Sequence, residues 1–128
     1  MQKVTGLGGV FFRARDPEAL ARWYQEHLGI DTVGETDAWR QEAGPTVFAP
    51  FEADTGYFGR HEQQYMLNFR VNDLDAMLRQ LRAGGVPVDD EVQVMHGIGR
   101  FGWATDPEGN RFEIWEPAPE ALQGVAPE

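Results

Sequence analysis

Apolar residues follow two rhythms along the chain. At Leu20, Trp23, Tyr24 and Leu28, and again at Leu74, Met77, Leu78 and Leu81, they recur every three or four positions. That is the stripe of a helix with one buried face. Asp16 and Asp73 stand just before the two stripes, where a carboxylate accepts from the orphan amides of a first helical turn. Pro17 suits the first helical position, and Gly29 and Gly84 follow as stop signals. Elsewhere the period is two, which predicts strands at Val10 to Ala14, Tyr65 to Val71, Arg100 to Thr105 and Arg111 to Glu116. Shorter strands are expected at Asp31 to Glu35, Ala38 to Ala43, Thr46 to Ala49 and, with breaks, Val86 to Met95. Between the last two strands, Asp106-Pro107-Glu108-Gly109 has type I turn chemistry.

The order of elements repeats. Phe12, Arg13, Asp16, Ala19 and Arg22 match Phe69, Arg70, Asp73, Ala76 and Arg79, each pair 57 positions apart, as from Arg13 to Arg70. A fixed offset marks a duplicated unit. The chain therefore reads as βαβββ followed by βαβββ, an α+β fold. Module one covers about residues 6–50, a linker loop about 51–62, and module two about 63–117. Residues 118–128 form a C-terminal tail, which with Pro117 holds three prolines.

Alternation also assigns faces. Val10, Phe12 and Ala14, then Leu67, Phe69 and Val71, then Phe112 and Ile114 form an apolar face for the helices. The opposite face is mixed: Gly9, Phe11 and Arg13; Met66, Asn68 and Arg70; Arg111, Glu113 and Trp115. Apolar walls carrying a few polar groups describe a ligand cavity better than a solvated surface or a core. Glu113, between Phe112 and Ile114, is the leading site candidate.

Composition narrows the classes. In 128 residues, 41% are hydrophobic and 25% charged, as expected of one globular domain. There is no cysteine, which excludes disulfides, thiolate zinc sites and a cysteine nucleophile. The start, MQKVTGLGG, lacks the apolar run of a signal peptide, so a cytoplasmic location is the default expectation. The formal net charge of −10 opposes nucleic-acid binding and steers cationic small molecules toward the surface.

FRARDPEALARWYQEHLGI, FRVNDLDAMLRQLRAGGV and DPEGNRFEIWEP together resemble the vicinal oxygen chelate superfamily, the glyoxalase, bleomycin-resistance and extradiol-dioxygenase group. The likeness runs from about Gly6 to Pro117. It implies paired βαβββ modules forming a curved mixed sheet around a central cavity, and a homodimer. In the family's enzymes it implies a divalent metal held by His and Glu. Carried over by position, those ligands fall on Gly9, Met66, the stretch from Val47 to Ala49, and Glu113. Only Glu113 has a suitable side chain, since glycine has none and a thioether is a poor ligand for hard divalent ions.

The expectation is therefore a small-molecule-binding protein without the family's usual metal, with no cofactor. An apolar or aromatic ligand would lie among Phe11, Met66, Trp103 and Trp115, with Glu113, Asn68 and Arg13 as polar contacts. The bleomycin-resistance branch supplies the model, an acidic dimer that sequesters a cationic drug. The alternative is a lyase, isomerase or dioxygenase in which Glu113 is a general base, or joins His61 or His96 in a rebuilt metal site. Trp39, Phe48, Tyr57, Phe58 and Phe101 are further candidates for aromatic walls.

Overall fold

A computed structural model describes residues 1–31 and 38–124. Both predicted helices form. α1 spans Pro17–Leu28, opened by Asp16, whose carboxylate accepts from Ala19 N–H at 3.1 Å. α2 spans Leu74–Ala83, opened in the same way by Asp73 and Ala76 at 3.0 Å. Gly29 ends α1 in the left-handed conformation, φ +70°, which a residue without a Cβ adopts at no steric cost. Gly84 ends α2 with φ −83°, and the left-handed turn passes to Gly85.

Four strands form one mixed, open sheet: β1 (Asn68–Arg70), β2 (Gln93–Met95), β3 (Gly99–Thr105) and β4 (Arg111–Pro117), in the order β1-β4-β3-β2. β1 runs parallel to β4; β3 is antiparallel to both β4 and β2. Of the broken strand expected at Val86 to Met95, the bridge from Val88 to Ala104 and β2 form. A short helix, α3 (Pro119–Leu122), follows β4.

The core lies between the helices and one sheet face. Leu20 and Tyr24 of α1 and Leu74, Leu78 and Leu81 of α2 bury against Val86, Ala104, Phe112 and Ile114. Trp23 and Phe69 pack around Phe112 edge-on. Gly102 permits the close approach of α2, since a Cβ there would lie 3.1 Å from Leu78 Cδ2.

The two modules differ. Among the described residues module two supplies every strand, whereas residues 1–15 and 38–67 hold no helix or strand. The strands predicted at Val10 to Ala14, Ala38 to Ala43 and Thr46 to Ala49 are thus absent, and Asp31 to Glu35 falls, except for Asp31, outside the described residues. Alternation sets which side chains share a face, but a strand also needs a neighbour for its ladder. Among the described residues Val10, Phe11 and Phe12 have none, and they are 50%, 98% and 51% exposed. The strand predicted at Tyr65 to Val71 shortens to β1. No described helix is long and apolar enough to cross a membrane.

Candidate functional site

The sheet register builds the site. In one row across the face turned away from the helices, Asn68 is opposite Glu113, and Glu113 is opposite Trp103. In the next, Arg70 is opposite Trp115, and Trp115 opposite Phe101. Side chains in a row lie within contact distance, so Glu113 has an amide on one side and an indole on the other.

Glu113 is 8% exposed and fully engaged. Asn68 Nδ2 donates to its Oε1 at 2.6 Å, and Trp103 Nε1 to its Oε2 at 3.0 Å. The third donor is the Tyr57 hydroxyl, which also bonds Oε2. Trp103 Nε1 is shared, reaching Tyr57 Oη at 3.2 Å. The Tyr57 ring stacks on Phe51, centroids 5.5 Å apart, and meets Trp103 edge-on at 6.2 Å. Burial, then the hydrogen bond and charge of Glu113, push the Tyr57 hydroxyl up to about 12, since each penalises the phenolate.

Side-chain hydrogen bonds hold the linker over this row. Gln63 Oε1 accepts from Arg111 N–H at 2.9 Å, and its Nε2 donates to Arg111 C=O at 2.7 Å, so one amide satisfies both backbone groups of β4's first residue. Arg111 donates from Nε to Tyr57 C=O at 3.2 Å, pairs with Asp89 at 2.8 Å, and places its guanidinium 5.4 Å from the Trp103 ring centre. The last is a cation–π distance.

The predicted site residues divide. Glu113, Asn68 and Trp103 come together. Trp115, 4% exposed, shares their face one row along, stacked with Phe101 and donating to Ile98 C=O at 2.9 Å. Met66 is half-buried beside β1. Phe11 is almost fully exposed. Arg13 lines a separate surface hollow of about 320 Å³ with Ala14, Arg15, Arg60, Glu108 and Asn110. His61 and His96 are exposed in turns. Tyr57, the third partner of Glu113, was legible only as one aromatic among several; no spacing in the linker marks it out. Gln63 carries no signal at all.

The donor set bears on metal chemistry. Among the described residues no three His, Cys, Asp or Glu side chains gather where they could hold a metal ion. The groups around Glu113 are N–H and O–H donors, which complement a carboxylate and not a cation. The residues present do not fit the divalent centre that the family's enzymes carry.

The family model for the Glyoxalase/Bleomycin resistance protein/Dioxygenase superfamily matches residues 6–114. No curated protein matches the sequence. Among solved structures, the fold is similar to that of TnmS3, an antibiotic binding protein from Streptomyces sp. CB03234, at 22% identity, with TM-score 0.60 over 92% of this chain and 100% of that one. It is also similar to a domain from Frankia sp. EAN1pec with the superfamily's name, at 16% identity, TM-score 0.58, over 91% and 100% of the chains. A superfamily member from Sphaerobacter thermophilus DSM 20745 aligns at 17% identity, TM-score 0.54, over 88% and 98%.

Proposed function

The chain belongs to the Glyoxalase/Bleomycin resistance protein/Dioxygenase superfamily, and on that footing we propose that it binds a small molecule on the Glu113 face of its sheet without the family's usual metal. The observation that carries this reading is the environment of Glu113: a buried carboxylate flanked by Trp103, Tyr57 and Asn68 and met only by hydrogen-bond donors. Aromatic walls with one oriented polar group suit the recognition of an apolar or aromatic ligand. The net charge of −10 favours a ligand that carries positive charge. TnmS3, which shares the fold, is an antibiotic binding protein, and sequestration of a drug-like molecule is consistent with that likeness.

The working form in this reading is a homodimer. Val10, Phe11, Phe12, Val47 and Phe48 are exposed along module one's extended segments, and β1 and β2 are the open edges of the sheet. A second copy is the partner favoured by the internal repeat: the stretch that matches β1, Phe11 to Arg13, pairs with none of the described residues of its own chain and is complementary to a β1 edge. Such reciprocal pairing is what a two-fold interface requires.

Elemental analysis of the purified, untagged protein, before and after incubation with Ni²⁺, Zn²⁺, Mn²⁺ and Fe²⁺, tests the metal-free reading. The expected result is no stoichiometric metal, together with saturable tryptophan quenching by cationic aromatic compounds and no turnover. One metal per chain, lost in Glu113→Ala, overturns it and returns lyase, isomerase and dioxygenase chemistry to the front.

A further inference from the structure

The Tyr57 side chain sits where a ligand of the Glu113 face would sit, and we propose that it is an internal stand-in for one class of ligand, a phenol. This rests on the ligand-binding reading above and narrows the group that meets Glu113 to a phenolic hydroxyl, which leaves positive charge to the rest of the ligand.

The three donors to Glu113 are not equivalent. Asn68 and Trp103 are register partners of Glu113 on the two flanking strands, so the backbone ladder fixes them. Tyr57 belongs to the linker. Its N–H bonds the Thr55 hydroxyl at 3.2 Å and its C=O accepts from Arg111 at 3.2 Å, so side chains alone hold its backbone. The third position on Glu113 is therefore the exchangeable one. A ring lies there, stacked on Phe51 and edge-on to Trp103. With the ring gone, an aromatic face, an indole edge and a carboxylate remain around a space of phenol shape.

The oxygen chemistry selects among aromatic ligands. Tyr57 Oη donates to Glu113 and accepts from Trp103 Nε1. A phenolic hydroxyl reproduces both bonds. A protonated amine can give the first and not the second, because an ammonium has no acceptor. A plain hydrocarbon ring gives neither and leaves a buried carboxylate short of a partner.

The test removes the stand-in and offers its replacement. p-Cresol, toluene and benzylamine are titrated into metal-free Tyr57→Ala and wild-type protein, followed by tryptophan fluorescence and calorimetry. The expected result is saturable binding of p-cresol to Tyr57→Ala, about ten- to hundredfold tighter than toluene, tighter than benzylamine, and much weaker to the wild type. Equal affinity for p-cresol and toluene, or no binding to the folded variant, overturns the proposal. Preference for benzylamine overturns it in favour of a cation site. If Tyr57→Ala does not fold, Tyr57→Phe serves. It keeps the ring but loses the hydroxyl, so p-cresol should raise its melting temperature more than that of the wild type; an equal rise counts against the stand-in. Stoichiometric metal sinks the underlying reading alone, whereas a metal-free protein indifferent to the hydroxyl sinks only this one.

Discussion

Tyr24 and Asp106 lie 82 positions apart, and the Tyr24 hydroxyl donates to Asp106 Oδ2 at 2.7 Å within the buried interior. Asp106 is 4% exposed. Its Oδ1 takes the N–H groups of Glu108 and Asn110, and its Oδ2 also takes the Asn110 amide. One carboxylate thus folds the β3–β4 turn and anchors α1 from module one to it. Tyr24→Phe removes a donor from a buried carboxylate and should cost about 1–3 kcal/mol, measured by chemical denaturation. Burial, then the bond and charge of Asp106, push the Tyr24 hydroxyl above its ordinary range. Its contribution is therefore fully present below the pH where a free tyrosine ionises and is lost as pH climbs toward the raised value.

Phe112 and Phe11 make a controlled pair. Phe112 is 1% exposed in the core and Phe11 is 98% exposed. Phe112→Ala should destabilise by about 3–5 kcal/mol. Phe11→Ala should leave intrachain stability within about 0.5 kcal/mol yet weaken self-association, as read by analytical ultracentrifugation across a dilution series. A Phe11→Ala protein with unchanged association removes this residue from the proposed dimer contact.

The Tyr57 hydroxyl should ionise near pH 12, which the tyrosinate absorbance of wild type minus Tyr57→Phe isolates. Because the folded value is raised, the stabilisation is complete below about pH 10 and disappears as pH passes about 12. Glu113→Gln should lower the midpoint without restoring the ordinary value, because burial is the larger cause. A midpoint that does not move would mean that burial acts alone.

Gly102→Ala tests the helix–sheet spacing. The added methyl would meet Leu78 at 3.1 Å and Leu74 at 3.5 Å. Overpacking of this kind should cost about 1–3 kcal/mol, seen as a lower thermal midpoint, with the Trp103 emission of the folded state unchanged.

The helices were legible because their evidence is local: a stripe of four apolar residues, an acidic cap and a glycine stop lie within about four turns. β3, β4 and their turn were legible for the same reason, since alternation and the Asp-Pro-Glu-Gly chemistry lie side by side. The face of Glu113 followed from a period of two. Module one's strands were over-read, because alternation reports which side a residue takes and not whether a neighbour exists to pair with. Tyr57 was beyond reach: its meeting with Glu113 spans 56 positions and depends on an irregular loop whose path no periodicity encodes. Strand alternation assigns Arg13 to the Glu113 cavity, and without a strand there it lines instead the separate surface hollow with Arg15 and Glu108.

The parallel pairing of β1 with β4 has a kinetic meaning. Trp103 and Glu113 meet across a hairpin only ten residues apart, but Asn68 reaches Glu113 across 45, with α2, β2 and β3 between. Closing that longer loop costs more chain entropy, and contacts of high sequence separation slow folding. The indole can thus be in place while the amide is still absent. Competence at Glu113 then waits on a non-local step of folding, so a chain that has formed its hairpin but not docked β1 would already bury tryptophan and still hold the carboxylate from one side.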